Sequence, residues 1–189
     1  MKNWLIGVAL LASAGCAWLP AEKPQEASQE ELAAQRQAQL NAWLDSREAL
    51  LREALLGSRM ILERRGEHLV VTAPVDASFK RERVMLLPAT LGPLGRVAKL
   101  VHDDPHSTLQ IHSHTDASGS VALNRQLSEE RAKAVAALFY LAGARSKVGL
   151  QAFGEAQPLH SNASAEGRSA NRRVELWLTR RNPTLLVQQ

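Results

Sequence analysis

The chain has 189 residues, of which 45% are hydrophobic and 22% are charged, and its formal net charge is +4. This composition is ordinary for a globular protein and predicts one compact domain with additional segments. Acidic and basic residues are interspersed, so the basic excess does not predict a nucleic-acid-binding surface, and no nucleic-acid partner is expected. Aromatic residues make up only 4% of the chain, so the core must consist mainly of Leu, Val, Ile and Ala.

Residues 1–15 have the pattern of a secretory signal peptide. Lys2 provides the positive charge, and the apolar run that follows is too short to remain as a membrane-spanning helix. Small residues at 13–15 precede Cys16, the single cysteine, so no disulfide framework is possible. This arrangement resembles a bacterial lipobox, which implies that the Cys16 thiol is acylated and anchors the protein in the outer membrane, although Ser13 stands where Leu is usual. The alternative is an ordinary signal peptide that leaves Cys16 free.

Residues 16–27 contain two prolines among polar residues and predict a flexible tether after the lipidated cysteine. Residues 28–66 predict an amphipathic helix followed by a charged connector, with Ser28 and Glu31 placed to form a capping box. One face of this amphipathic helix carries an apolar stripe of Leu40, Trp43, Leu44, Leu51 and Leu55, and Arg47 lies on the same face. The stripe is short, which favours packing on the chain's own domain over a coiled coil or a docking surface for another protein.

Residues 67–181 predict the domain itself, and residues 182–189 a peripheral tail. A strand around 69–72 is followed by a helix that begins at Pro88, a strand at 108–113 and a long helix that Gly143 ends. Alternating patterns predict two further strands at 147–153 and 173–179, separated by a polar loop at 157–171. The predicted fold class is therefore α/β (an α+β sandwich), with the order βαβαββ, a mixed sheet and a preceding amphipathic helix.

The third element of this domain leads to a candidate binding site. Asp116 follows a strand directly, at the carboxyl end where α/β layers place ligands, and Arg131 lies on the helix that folds back over the sheet. An acid and a fixed cation could therefore flank one small cleft and match a ligand that carries both an ammonium and a carboxylate group. The alternative is an intramolecular salt bridge or solvated charges at the element ends.

Several spaced motifs surround this site. They are Thr115-Asp116, Gly119, Asn124, Leu127-Ser128, Arg131-Ala132, Val135, Gly154-Glu155, Pro158 and the closing run from Gly167 to Glu175. In this order they resemble the OmpA-like C-terminal domain family, which includes the peptidoglycan-associated lipoprotein Pal and the flagellar stator protein MotB. The resemblance covers residues 68–180. Two positions depart from the usual pattern, Ser113 and Lys80.

The resemblance implies that Asp116 and Arg131 hold diaminopimelate of the peptidoglycan stem peptide. Thr115 and Asn124 are further candidates for the ligand site, although Asn124 also suits a turn or a helix cap. Arg172 and Arg173 could brace the cleft or be ordinary charges at a strand end. The family's function implies peptidoglycan as the partner, and a lipid-anchored domain that ties the outer membrane to the cell wall from the periplasmic side. The rival hypothesis is a regulatory or assembly lipoprotein whose N-terminal helix engages another envelope protein.

No cofactor, metal or enzymatic activity is expected from the sequence. His112 and His114 share one strand face, but two ligands are too few for a metal site, so structural roles are favoured. Asp116 has no evident carboxylate partner, and no Gly-x-Ser-x-Gly elbow or Gly-rich phosphate loop is present. A hydrolase acting on peptidoglycan is therefore disfavoured.

Overall fold

The computed structural model describes residues 28–80 and 83–181. The predictions for the signal peptide, for Cys16, for the tether and for the tail lie outside these residues. The helices are α1 (Gln29–Ala54), α2 (Val75–Ser78), α3 (Pro88–Asp103), α4 (Val121–Leu141) and α5 (Ala165–Asn171). The strands are β1 (Ile61–Arg65), β2 (His68–Pro74), β3 (Ser107–His114), β4 (Val148–Gly154) and β5 (Arg173–Arg180).

The strands form one five-stranded mixed sheet in the order β1-β2-β5-β3-β4. Strands β3 and β4 are parallel and are connected through α4, whereas all the other pairs are antiparallel. The central pairing of β3 with β5 sets His112 opposite Glu175 and Ser113 opposite Val174. It therefore brings the loop that follows β3 close to the residues that precede β5. This mixed sheet with helices confirms the predicted fold class.

A hydrophobic core lies between one face of the sheet and the helices. The register aligns Leu69, Leu178 and Leu109 across three strands, and these residues share one buried cluster with helical side chains. The helical members include Leu44, Leu51, Leu94, Val97, Val101, Val135 and Phe139. No helix within the described part of the chain combines the length and the apolar character needed to cross a membrane.

Helix α1 packs against the chain's own domain, as the sequence favoured. Ser28 caps it, with the predicted capping box to Glu31 present in both directions. The apolar stripe faces the core, and Trp43 donates a hydrogen bond through Nε1 to the buried carboxylate of Asp104 at 2.8 Å. Residues 28–39, in contrast, are all exposed. The second half of the helix is therefore part of the domain, and the first half extends away from it.

Two predicted irregular segments are regular in the structure. The supposed charged connector contains β1, which pairs antiparallel with β2 around a turn where Gly66 has φ of 60°. Its sequence, Ile-Leu-Glu-Arg-Arg, belongs to an edge strand with a mostly solvated face, so it lacks the alternation that identifies a half-buried strand. The supposed polar loop at 157–171 contains the short helix α5, whose start is capped by the Ser164 side chain.

Candidate functional site

Asp116 sits at the carboxyl end of β3, where the sequence placed it. The amide of Thr115 still donates to the Gly154 carbonyl at 2.8 Å, so the loop departs from a fixed point on β4. The Asp116 carboxylate accepts from the Ser118 amide at 3.0 Å, and the residue is only 8% exposed. Its position is therefore set by the backbone on both sides of it.

Asn124 holds this loop in place. Its side-chain nitrogen donates to the Asp116 carbonyl at 3.1 Å and also to the Glu155 carboxylate. A Cβ at Gly119 would lie 3.0 Å from the Asn124 side-chain oxygen, so glycine allows the loop to pass close to the amide. Because its nitrogen already has two protein acceptors, Asn124 acts on the site by positioning Asp116.

Arg131 projects from the middle of α4 into the same region and is 5% exposed. Its Nε and Nη1 atoms are buried without a hydrogen-bond partner among residues 28–80 and 83–181. The guanidinium carbon lies 5.9 Å from the centre of the Phe79 ring. Burial lowers the pKa of Arg131, against the attraction of Asp76 and Asp116. A buried cation with unused donors is costly, and this arrangement is suited to an anionic ligand.

Asp116 forms its salt bridge with Arg172 and leaves Arg131 without that partner. The Arg172 Nη1 donates to Asp116 Oδ2 at 2.5 Å, while its Nε and Nη2 donate to the two oxygens of Asp76 at 2.9 and 2.6 Å. Arg172 therefore joins the carboxylates of Asp116 and Asp76, which fits the bracing role among the two that the sequence left open. Asp76 was missed, because it lies in the one-turn helix α2, far from the recognisable motifs.

The carboxylates of this cluster are held in the ionised form. Burial alone would raise the pKa of Asp116, but the hydrogen bonds from Arg172 and Ser118 outweigh it and hold this pKa below the usual value. The hydrogen bond from Arg172 likewise lowers the pKa of Asp76, against the opposing effect of burial. The site therefore presents two carboxylates and two guanidinium groups, whose formal charges cancel.

Thr115 directly precedes Asp116, and its hydroxyl is buried without a partner among the described residues. Successive side chains in an extended segment point to opposite sides, so the position of Thr115 in the chain does not bring its hydroxyl to the Asp116 carboxylate. The structure thus brings Asp116 and Arg131 into one region, with Asn124 holding the loop.

His114 ends β3 just before this region and lies on the sheet face that carries His112. Its ring stacks on Phe153 with 5.0 Å between the centroids, and its Nε2 is 3.9 Å from the Glu175 carboxylate. Within the described residues no group of three His, Cys, Asp or Glu side chains could hold a metal ion. Burial, aided by the Arg173 charge, lowers the pKa of His114 to about 4.

The free energy of unfolding is therefore expected to fall as the pH falls from about 6.5 to about 4. In this window the unfolded chain protonates His114 and the folded chain does not, which is worth about 3 kcal/mol at most. Urea unfolding of the wild type and of His114→Phe, which retains the aromatic stacking, measures the effect. The free energy of unfolding of the variant should depend less steeply on pH than that of the wild type. Equal slopes of the free energy of unfolding against pH in the two proteins would contradict the prediction.

Comparison with known proteins identifies the family. The family model described as "OmpA family" matches residues 78–172. The "Probable lipoprotein YiaD" of Escherichia coli (strain K12) is 33% identical over 138 residues, which cover 72% of this chain and 63% of YiaD. The "Peptidoglycan-binding protein ArfA" of Mycobacterium tuberculosis (strain ATCC 25618 / H37Rv) is 37% identical over 100 residues, which cover 52% of this chain and 31% of ArfA.

Solved structures agree with this assignment. The cell wall anchor of the T6SS from Pseudomonas aeruginosa superimposes with a TM-score of 0.61 at 26% identity, covering 70% of this chain and 95% of that one. The chain spans 63% of the length of YiaD and about a third of the length of ArfA, so less than two thirds of either relative. The matched residues include both Asp116 and Arg131, and they carry the motifs of the sequence resemblance from Thr115-Asp116 as far as Arg172 in the closing run. This chain belongs to the OmpA family.

Proposed function

We propose that this protein binds peptidoglycan without covalent attachment, through the diaminopimelate of the stem peptide, and ties the outer membrane to the cell wall from a lipid anchor at Cys16. The single observation that carries the proposal is Arg131, a buried guanidinium with two unused donors close to the ionised carboxylate of Asp116. The names of two relatives support it, since one is a peptidoglycan-binding protein and another is a cell wall anchor.

The chemistry of the ligand matches the site group by group. The side-chain centre of diaminopimelate carries a carboxylate and an ammonium group. The carboxylate would accept two hydrogen bonds from the guanidinium group of Arg131, and the ammonium would donate to Asp116. Since the four charged side chains of the site sum to zero, a neutral zwitterionic centre leaves the charge balance unchanged.

The affinity of one such contact is expected to be modest. Each charge-assisted hydrogen bond contributes about 1.5–3 kcal/mol net, so a few of them correspond to dissociation constants of roughly micromolar to millimolar. Weak contacts are sufficient when many membrane-bound copies face a continuous polymer, because the local concentration is high. Stable anchoring requires more than one acyl chain, as a lipoprotein-type modification of Cys16 would provide.

The proposal is tested by sedimentation of the chain from residue 17 with purified sacculi. We expect it to sediment with the wall and to be released by free meso-diaminopimelate. Free lysine, which lacks the second carboxylate, should release much less. If the protein stays in the supernatant when it is mixed with sacculi, or if diaminopimelate and lysine release it equally, the proposed diaminopimelate site is refuted.

A second candidate function rests on the exposed first half of α1. Residues 28–39 contact no other part of the described domain closely enough to be buried, so they could engage another envelope protein. Trp43 and Leu51 belong to the core, so a surface test must use exposed residues such as Leu32 and Arg36. Under this hypothesis, Leu32→Glu with Arg36→Glu abolishes capture of a specific partner and leaves sacculus binding unchanged.

A further inference from the structure

Arg172 stands between two carboxylates that it contacts in different ways. Toward Asp76 it presents two nitrogens, Nε and Nη2, to two oxygens at 2.9 and 2.6 Å, which is a bidentate pair. Toward Asp116 it presents Nη1 alone, to one oxygen at 2.5 Å. The contact with Asp116 is therefore monodentate. It leaves hydrogen-bond acceptor sites on the Asp116 carboxylate unused, since an ionised carboxylate offers about four lone-pair sites.

The position of Asp76 relative to Arg172 is fixed by the fold. The Val75 amide donates to the Arg172 carbonyl at 2.9 Å, which ties the start of α2 to the residue that precedes β5. The Ser169 hydroxyl donates to Asp76 Oδ2 at 2.8 Å and orients its carboxylate from α5. The backbone next to Asp76 is thus bonded to the backbone of Arg172, and the two side chains are bonded to each other. These contacts hold Nε and Nη2 of Arg172 toward Asp76.

Loss of the Asp76 charge would change what Arg172 does to Asp116. A guanidinium freed from its bidentate partner can turn Nη1 and Nη2 together onto Asp116, which is the geometry that arginine prefers with a carboxylate. Asp116 would then be neutralised by a fixed cation, and an incoming ammonium would have to displace it. The site would also carry a net charge of +1, because two guanidinium groups would face one carboxylate.

We propose that Asp76 is a positioning residue that makes the site selective for a zwitterionic centre. It limits Arg172 to a monodentate contact with Asp116 and so keeps the Asp116 carboxylate available to an ammonium group. The inference rests on the proposed function and deepens it. It assigns the selectivity for the ammonium group to Asp76, a residue outside the family motifs that acts through Arg172. Without Asp76, the site is expected to become a general carboxylate site centred on Arg131.

The test compares two ligands that differ only in their ammonium groups, meso-diaminopimelate and pimelate, which share one dicarboxylate chain. Their dissociation constants are measured by calorimetry on the full chain in detergent, for wild type and for Asp76→Asn. Wild type should prefer diaminopimelate, and Asp76→Asn should reduce that preference by about tenfold or more, the value of one charge-assisted contact. Asp76→Glu, which retains the charge, should restore part of the preference.

Asp103→Asn is the matched control, since it removes an exposed aspartate on α3 that is paired with Lys99. It should leave the ratio of the two dissociation constants unchanged. An unchanged ratio in Asp76→Asn, or an equal weakening of both ligands, would overturn the inference and leave Asp76 with a structural role. If wild type binds neither diaminopimelate nor sacculi, the proposed function fails, and the inference fails with it.

Discussion

Replacement of Arg131 by methionine is expected to abolish sacculus binding and, at the same time, to raise the free energy of unfolding. The binding loss should reach about a hundredfold or more, because two charge-assisted hydrogen bonds to the ligand carboxylate disappear. The stability should rise by about 1–2 kcal/mol, because methionine fills a similar volume without burying an unpaired charge. The lowered pKa of Arg131 shows that its surroundings, on balance, disfavour the charged form.

Two measurements distinguish a ligand-binding role of Arg131 from a purely structural one. Sacculus sedimentation reports binding, and urea unfolding reports stability. Arg125→Met is the matched control, since Arg125 is an exposed arginine on the same helix, and neither quantity should change there. A structural arginine would behave in the opposite way: Arg131→Met would then lower the midpoint of unfolding. Such a fall, or sedimentation equal to that of wild type, would contradict the prediction.

The parts of the fold that were predictable from the sequence are those specified by local signals. The capping box at Ser28, the proline that opens α3 and the glycine after α4 each act within one turn of chain. The alternation in β3 and β5 is equally local, because one face of each strand packs on the core. Strand β1 was missed since its stability comes from pairing with β2, and its charged edge sequence has no pattern of its own.

The candidate site shows the same division. Asp116 and Arg131 were placed by a strand–turn–helix pattern, which fixes where each backbone lies. The partner of Asp116 was not predictable, because Arg131 and Arg172 are both arginines on elements that reach the site, and only the three-dimensional packing selects Arg172. Asp76 lies outside the motifs, and it pairs with Arg172 across 96 positions of sequence. Such long-range charge pairs leave no periodic pattern in the sequence, so this pair could not be predicted.

The position of α1 has a consequence for any fragment of this protein. Trp43, Leu44, Leu51 and Leu55 belong to the same buried cluster as the sheet residues. Arg47 lies 3.3 Å from the buried Asp104 carboxylate, and Arg96 of α3 donates to the Ala54 carbonyl at 2.8 Å. The second half of α1 is therefore as much a part of the core as α3 or α4, although the family motifs begin well after it.

A fragment of residues 60–181 is consequently expected not to fold cooperatively, whereas fragments 28–181 and 40–181 should. Burial of a large apolar side chain contributes about 1.5–3 kcal/mol, so loss of Trp43, Leu44, Leu51 and Leu55 removes roughly 6–12 kcal/mol. That amount is comparable to the whole stability of a domain, about 5–15 kcal/mol. Fragment 40–181 loses the Ser28 cap and exposed residues, which costs about 1–2 kcal/mol.

Urea unfolding followed by circular dichroism and tryptophan fluorescence distinguishes the three fragments. A cooperative transition in fragment 60–181, with the midpoint of fragment 28–181, would show that α1 is dispensable and contradict the prediction. The outcome also decides how binding to the wall can be tested, because a fragment without α1 would fail to sediment for lack of a folded site. Only fragments that retain the second half of α1 can separate loss of the Asp116 and Arg131 cleft from loss of the fold.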